Sequence, residues 1–192
     1  MDLQIVNTAS GDSSVTAEVN KYNQLSCRCV GVSAIHEATI NGDAYAWNAL
    51  SSDLDATDCA LMVRNLSQSR LLVINRIYVW ADIPTAIEVA LTQSATAYSA
   101  GGVGAAVTGV NLNTSSNKVA DAGAYSDDAS VAQGTVICTF ENNETTGDEF
   151  GIDYSTDDKI ILGTNGCIGV DITAEIGAAG FECTIIGYFI DA

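Results

Sequence analysis

The chain is a succession of short apolar runs, rich in β-branched residues, broken at close intervals by Gly, Asn, Asp and Ser, with a single proline, Pro84. Runs of this kind suit strands and are too short or too strictly alternating for amphipathic helices. Such a chain must bury its apolar faces by pairing strands into sheets and packing sheet on sheet. The pattern predicts about ten strands and no helix longer than about two turns. The fold class that follows is all-β: an antiparallel two-sheet β-sandwich, with a jelly roll as the expected arrangement.

Segment by segment, Leu25–Val32 alternates around Arg28, and Asp58–Leu66 reads as a largely buried strand. Leu71–Trp80, dense in β-branched and aromatic residues, is the strongest strand and is expected near the centre of a sheet. In Ala86–Thr92 the alternation of Ile87, Val89 and Leu91 favours strand over helix, with Pro84 just ahead of it. Further strands are predicted at Gly134–Phe140, Phe150–Tyr154, Lys159–Leu162, Cys167–Thr173 and Phe181–Ile190. Between them, Ala95–Asp128 turns to small and polar residues and is expected to be the longest irregular stretch, of the kind that carries function. Residues 58–192 are expected to form the main sandwich, with 1–57 as an N-terminal arm or extra strands packed on it.

At 192 residues, 47% apolar and 16% charged, the chain can bury one substantial core. Its 24 acidic and 7 basic residues give a net charge of −17, which repels a phosphate backbone and argues against nucleic-acid binding. The longest apolar run, Leu71–Ile83, is interrupted by Asn75, Arg76 and Asp82, so no membrane helix is expected. The N-terminal Met1–Val6 has neither a basic nor an apolar signal region, which implies synthesis in a cytoplasm.

Residues capable of chemistry are scattered. The one histidine, His36, has no nucleophile motif near it, so triad-type catalysis lacks sequence support. Carboxylate pairs such as Asp53/Asp55, Asp127/Asp128 and Asp157/Asp158 arise readily in so acidic a chain. The six cysteines are expected to be mostly buried free thiols, and the Cys27-x-Cys29 pair lacks the second half of a zinc site. Asn142–Glu149 and Asp153–Asp158 could supply oxygen ligands for calcium but do not follow the EF-hand order. Gly101-Gly102-Val103-Gly104 is followed by no Lys-Ser/Thr and is no phosphate cradle. No enzyme activity, cofactor or metal is expected.

Ala60–Asn65, the strand pair around Ile74 to Val89, the Gly-rich link into Val110–Asn117, and the terminal Gly187-Tyr188-Phe189-Ile190-Asp191 together resemble tailed-phage virion proteins of the head-decoration or head-attached type. The resemblance covers roughly the last two thirds of the chain. It implies a non-enzymatic β-sandwich that assembles in symmetric copies, often trimers, on a capsid lattice, with the major capsid protein or other virion proteins as partners. The expected location is the virion, after synthesis in the host cytoplasm.

On that reading the contact residues are expected in the 44–47 stretch and the 101–117 loop, with Tyr45, Trp47, Asn111 and Asn113 as interface residues. The two aromatics could equally be ordinary core. A carbohydrate-binding module of a fibre is the competing reading. It requires exposed aromatics and Asn and Asp donors and acceptors clustered at one end of the sandwich.

Overall fold

In the computed structural model of the chain, residues 18–19, 25–26, 33–51, 58–81, 87–94, 104–128, 134–142, 150–172 and 180–192 are described. The chain divides into two compact units, one ending at Ser33 and the other running from Ala34 to Ala192. In the first, β1 (Glu18–Val19) and β2 (Leu25–Ser26) pair as an antiparallel ribbon. Cys27, Cys29 and the rest of the strand expected up to Val32 lie outside the described residues, as does Pro84.

The second unit opens with a short helix, α1 (Ala34–Asn41), followed by β3 (Ala44–Ser51), β4 (Cys59–Asn65), β5 (Arg70–Ala81) and β6 (Ile87–Ser94). Next come β7 (Ala105–Ala106), β8 (Val110–Asn111) and β9 (Ala122–Asp128), then β10 (Thr135–Asn142), β11 (Phe150–Leu162), β12 (Cys167–Ile172) and β13 (Phe181–Asp191). All pairings are antiparallel, in a six-stranded sheet β10-β6-β12-β4-β9-β7 and a five-stranded sheet β11-β5-β13-β3-β8. The all-β, two-sheet sandwich is therefore the observed fold.

Its connectivity is nested. β3 pairs with β13, β4 with β12, β5 with β11 and β6 with β10, while the chain changes sheet at each step from β3 to β6 and from β10 to β13. An eight-stranded ribbon folded back on itself in this way is a jelly roll. The segment between β6 and β10 is an insertion that widens both sheets. Its β8 extends the five-stranded sheet beside β3, and its β9 and β7 extend the six-stranded sheet beside β4. The stretch expected to be irregular thus holds three strands. Ala122–Asp128 escapes notice because its small residues carry little β-propensity and pair through tertiary contact with β4.

The division at Ser33 also differs from the expected boundary at residue 57. β3 lies inside the five-stranded sheet, and Tyr45, Trp47 and Ala49 alternate into the core as any sandwich strand does. Opposite them stand Leu61 and Val63 of β4, Leu91 of β6 and Ile168 and Val170 of β12. Each such fully buried aliphatic side chain contributes about 1.5–3 kcal/mol.

Two devices shape this core. In β5 the inward positions are Leu72 and Ile74, then Ile77, Val79 and Ala81, so the alternation slips by one at Asn75–Arg76. The pairings of β5 with both β11 and β13 are irregular there: Ser155 and Ile160 flank the shift on one side, Ile186 and Gly187 on the other. The strands expected at Phe150–Tyr154 and Lys159–Leu162 are one strand with this bulge inside it. Asp157 and Asp158 take positive φ in the bulge, and Asn75 Nδ2 donates to Asp158 Oδ1 at 2.8 Å. The second device is a fully buried Asn65, whose Nδ2 donates to the Arg70 and Leu162 carbonyls at 2.9 Å while its Oδ1 accepts from Ser67 N at 2.9 Å. One side chain thereby ties the β4–β5 turn to the end of β11.

Candidate functional site

The four residues expected at an interface do converge, but they form a clasp within the chain. α1 ends in a left-handed Gly42 (φ 73°), with Gly42 N donating to Thr39 O at 3.0 Å and Asp43 N to Ala38 O at 2.8 Å. This is the Schellman pattern that satisfies the last helical carbonyls. Gly42 O in turn accepts from Tyr45 Oη at 3.1 Å and from Asn111 Nδ2 at 2.9 Å. Tyr45 and Asn111 are direct partners across β3 and β8. Asn111 Oδ1 accepts from Asn113 N at 2.9 Å, and Asn113 Nδ2 donates to Ile40 O at 3.0 Å. Gly109 lies against the Trp47 indole so closely that a Cβ there would sit 2.6 Å from Nε1.

Tyr45 and Trp47 are fully buried, with their rings 6.2 Å apart, and so are core residues of this chain rather than surface anchors. Asn111 and Asn113 spend their amides on backbone groups. Among the polar residues exposed around the clasp stand three apolar ones: Ile40 is 63% exposed, Val110 65% and Val119 77%. Asp43 completes the arrangement, accepting from Arg70 at 3.1 Å and Lys118 at 2.9 Å, so the insertion is fastened to the sandwich by an ion pair as well as by amides.

Groups capable of chemistry do not gather there. His36 is exposed on α1. Among the described residues, no group of three His, Cys, Asp or Glu side chains is placed to hold a metal ion. The 142–149 segment considered for calcium falls almost wholly outside the described residues, whereas Asp153–Asp158 lies along β11, with Asp153 bound to Arg76 and Asp157 to Lys159. Cys59, Cys138, Cys167 and Cys183 are free thiols, and all but Cys138 are buried.

One buried ionisable group is unusual. Asp171 of β12 faces Cys59 of β4, and neither carboxylate oxygen has a conventional hydrogen-bond partner. Burial pushes its pKa above the ordinary carboxylate range, an effect that the neighbouring Thr92 hydroxyl and Cys59 thiol partly offset. Burial, with the Asp171 charge second, also pushes the Cys59 thiol well up, which makes it a poor nucleophile.

A second surface, not singled out by the sequence, lies on the outer face of the five-stranded sheet. Past the β5 bulge, Tyr78 and Trp80 point away from the core and are 36% and 40% exposed. Trp80 is flanked by Gly151 on β11 and Glu182 on β13, and Tyr78 by Asp153 and Thr184. These residues line a groove of about 460 Å³. Arg76 clamps Asp153 with two hydrogen bonds of 2.7 Å and stands 5.2 Å from the Tyr78 ring centre. Asn48 Nδ2 donates to Glu182 Oε1 at 3.0 Å and to Thr184 Oγ1 at 2.8 Å. The signal was present as the Arg76-x-Tyr78-x-Trp80 spacing, since alternate residues of a strand share a face. The apolar content of Leu71–Trp80 points to a strand near the centre of a sheet and does not distinguish its two faces.

Comparison with protein-family models, with curated proteins and with solved structures found no match to this chain.

Proposed function

We propose that this chain is a non-enzymatic structural protein of a phage virion, a decoration or cement protein that stabilises the head through protein–protein contacts. The observation that carries the reading is the insertion between β6 and β10, fastened to α1 by the Gly42–Asn111–Asn113 clasp, which presents Val110 and Val119 to solvent beside the exposed Ile40 of α1. Exposed apolar side chains on a pre-ordered loop lose little entropy on docking, and they gain by burial against a partner. The resemblance of the sequence to head-decoration proteins and the jelly-roll connectivity favour the same reading. Cementing then follows from mass action: a protein that binds only the assembled shell stabilises it, by about 2.7 kcal/mol at a hundredfold excess over Kd.

The test is mass spectrometry and immunogold labelling of purified particles of the phage that encodes the chain. The protein should be found on the head, and its absence from particles would overturn the proposal. In reconstitution, purified protein should co-sediment with heads, and the double variant Val110→Asp, Val119→Asp should lose that binding while retaining its melting temperature, because both side chains are exposed.

A further inference from the structure

We infer that the outer face of the five-stranded sheet is a binding site for a neutral oligosaccharide, with Trp80 and Tyr78 as stacking platforms. The inference concerns a different face from the clasp and does not depend on attachment to a shell.

The argument begins with register. Two rows cross the sheet: Gly151, Trp80, Glu182 and Leu50, and next to it Asp153, Tyr78, Thr184 and Asn48. The direct cross-strand neighbours of each ring are polar or small, with the exposed Leu50 at the far end of the Trp80 row, and the rings stand two residues apart on one strand, about 6.6 Å along it. Gly151 leaves the β11 side of Trp80 uncovered, and a Cβ built there meets nothing within 4 Å. Exposed rings on a rigid sheet offer flat apolar surface at little entropic cost.

The polar neighbours decide the ligand. Asp153, Glu182, Thr184 and Asn48 are held by hydrogen bonds to one another or to Arg76, so their remaining donors and acceptors point in fixed directions before any ligand arrives. At the Tyr78 ring Arg76 already fills the place a ligand cation would take, and it neutralises Asp153 as well. Phosphates and other anions meet Glu182, Asp153 and a net charge of −17, which also excludes a stacked nucleic acid. The remaining ligand is uncharged, has an apolar C–H face to lie on an aromatic ring, and is edged with hydroxyls that both donate and accept. A sugar ring has this chemistry. The open groove and the two successive platforms suit adjacent rings of a linear chain.

The experiment uses the full chain and a panel of neutral linear hexasaccharides (cello-, chito-, xylo-, malto- and mannohexaose), read by the two tryptophan indole N–H resonances. At least one sugar should shift the Trp80 signal and leave that of buried Trp47 in place. Trp80→Ala and Tyr78→Ala should each weaken binding about tenfold or more, the scale of an aromatic hot spot. Gly151→Val should abolish it with the melting temperature unchanged or higher, since valine suits a strand and fills open space. That last variant separates blocking of the site from unfolding. The proposal is overturned if no sugar of the panel moves the Trp80 resonance, if Trp80→Ala binds within about twofold of the unaltered chain, or if choline or a lysine-rich peptide shifts the signal and the sugars do not.

Discussion

At the scale of the residue, the interior tolerates polar groups on very different terms. Asn65 is buried with its amide fully used, so its desolvation is offset and it serves as a joint between turns. Asp171 is buried with only the Thr92 hydroxyl and the Cys59 thiol beside its carboxyl and keeps a raised pKa, caused first by its desolvation. A carboxyl whose folded pKa lies above its unfolded one holds its proton more tightly in the folded state. Unfolding then releases that proton, so the stability it contributes falls as pH rises from the ordinary carboxylate range, about pH 4, through the raised folded value. Urea unfolding at a series of pH values should therefore show stability falling more steeply with rising pH than in Asp171→Asn, a difference of at most about 1.4 kcal/mol per pH unit inside that window. Parallel curves for the two proteins would show that Asp171 titrates as it does in the unfolded chain. The sequence shows Asp171 inside an apolar run, but which groups surround it depends on strands β4 and β6, far away in the chain.

At the scale of the element, α1 and the insertion are held by one turn. Gly42 has a left-handed backbone, and a Cβ there would come within 2.2 Å of Ser116 Oγ. Gly42→Ala therefore combines backbone strain with a collision against the loop that the clasp secures, and should cost about 1–3 kcal/mol. Hydrogen exchange should show where: amides of α1 and of residues 110–118 should lose protection before those of β5, β12 and β13. Uniform loss across all of these would mean that the clasp is no separate unit of stability. The sequence offered part of this. Tyr45 and Trp47 stand out as either interface anchors or core, whereas a helix end at Gly42 is not among the expected elements. That their face of β3 is the core of the sandwich, rather than a contact with another protein, is visible only once β3 is paired with β13 and β8.

At the scale of the whole molecule, the acidic excess works against compactness. With 24 carboxylates and 7 basic groups, self-repulsion in the folded state should exceed what the partly exposed ion pairs of Asp43, Asp153 and Asp157 return. Raising ionic strength from about 0.01 M to about 0.15 M shortens the Debye length from about 30 Å to about 8 Å. The melting temperature should rise over that range by a few degrees, on the order of 1 kcal/mol for a chain of this size. A fall in calorimetric melting temperature would show instead that the ion pairs outweigh the repulsion.

The sequence by itself determined the class of the fold, because short β-branched runs, several alternating with a period of two and others apolar throughout, suit strands and are too short for amphipathic helices. It also determined the sign and size of the charge. Only the tertiary structure decided which strand neighbours which. Alternation carries no information about partners, and β3 and β13 meet across more than 130 residues of chain, as the Asn48–Glu182 bond records. The same pairing decided the fate of the aromatic residues. Tyr45 and Trp47 turn inward and Tyr78 and Trp80 outward because of sheet register and a one-residue slip at Asn75, features set by packing the two sheets together.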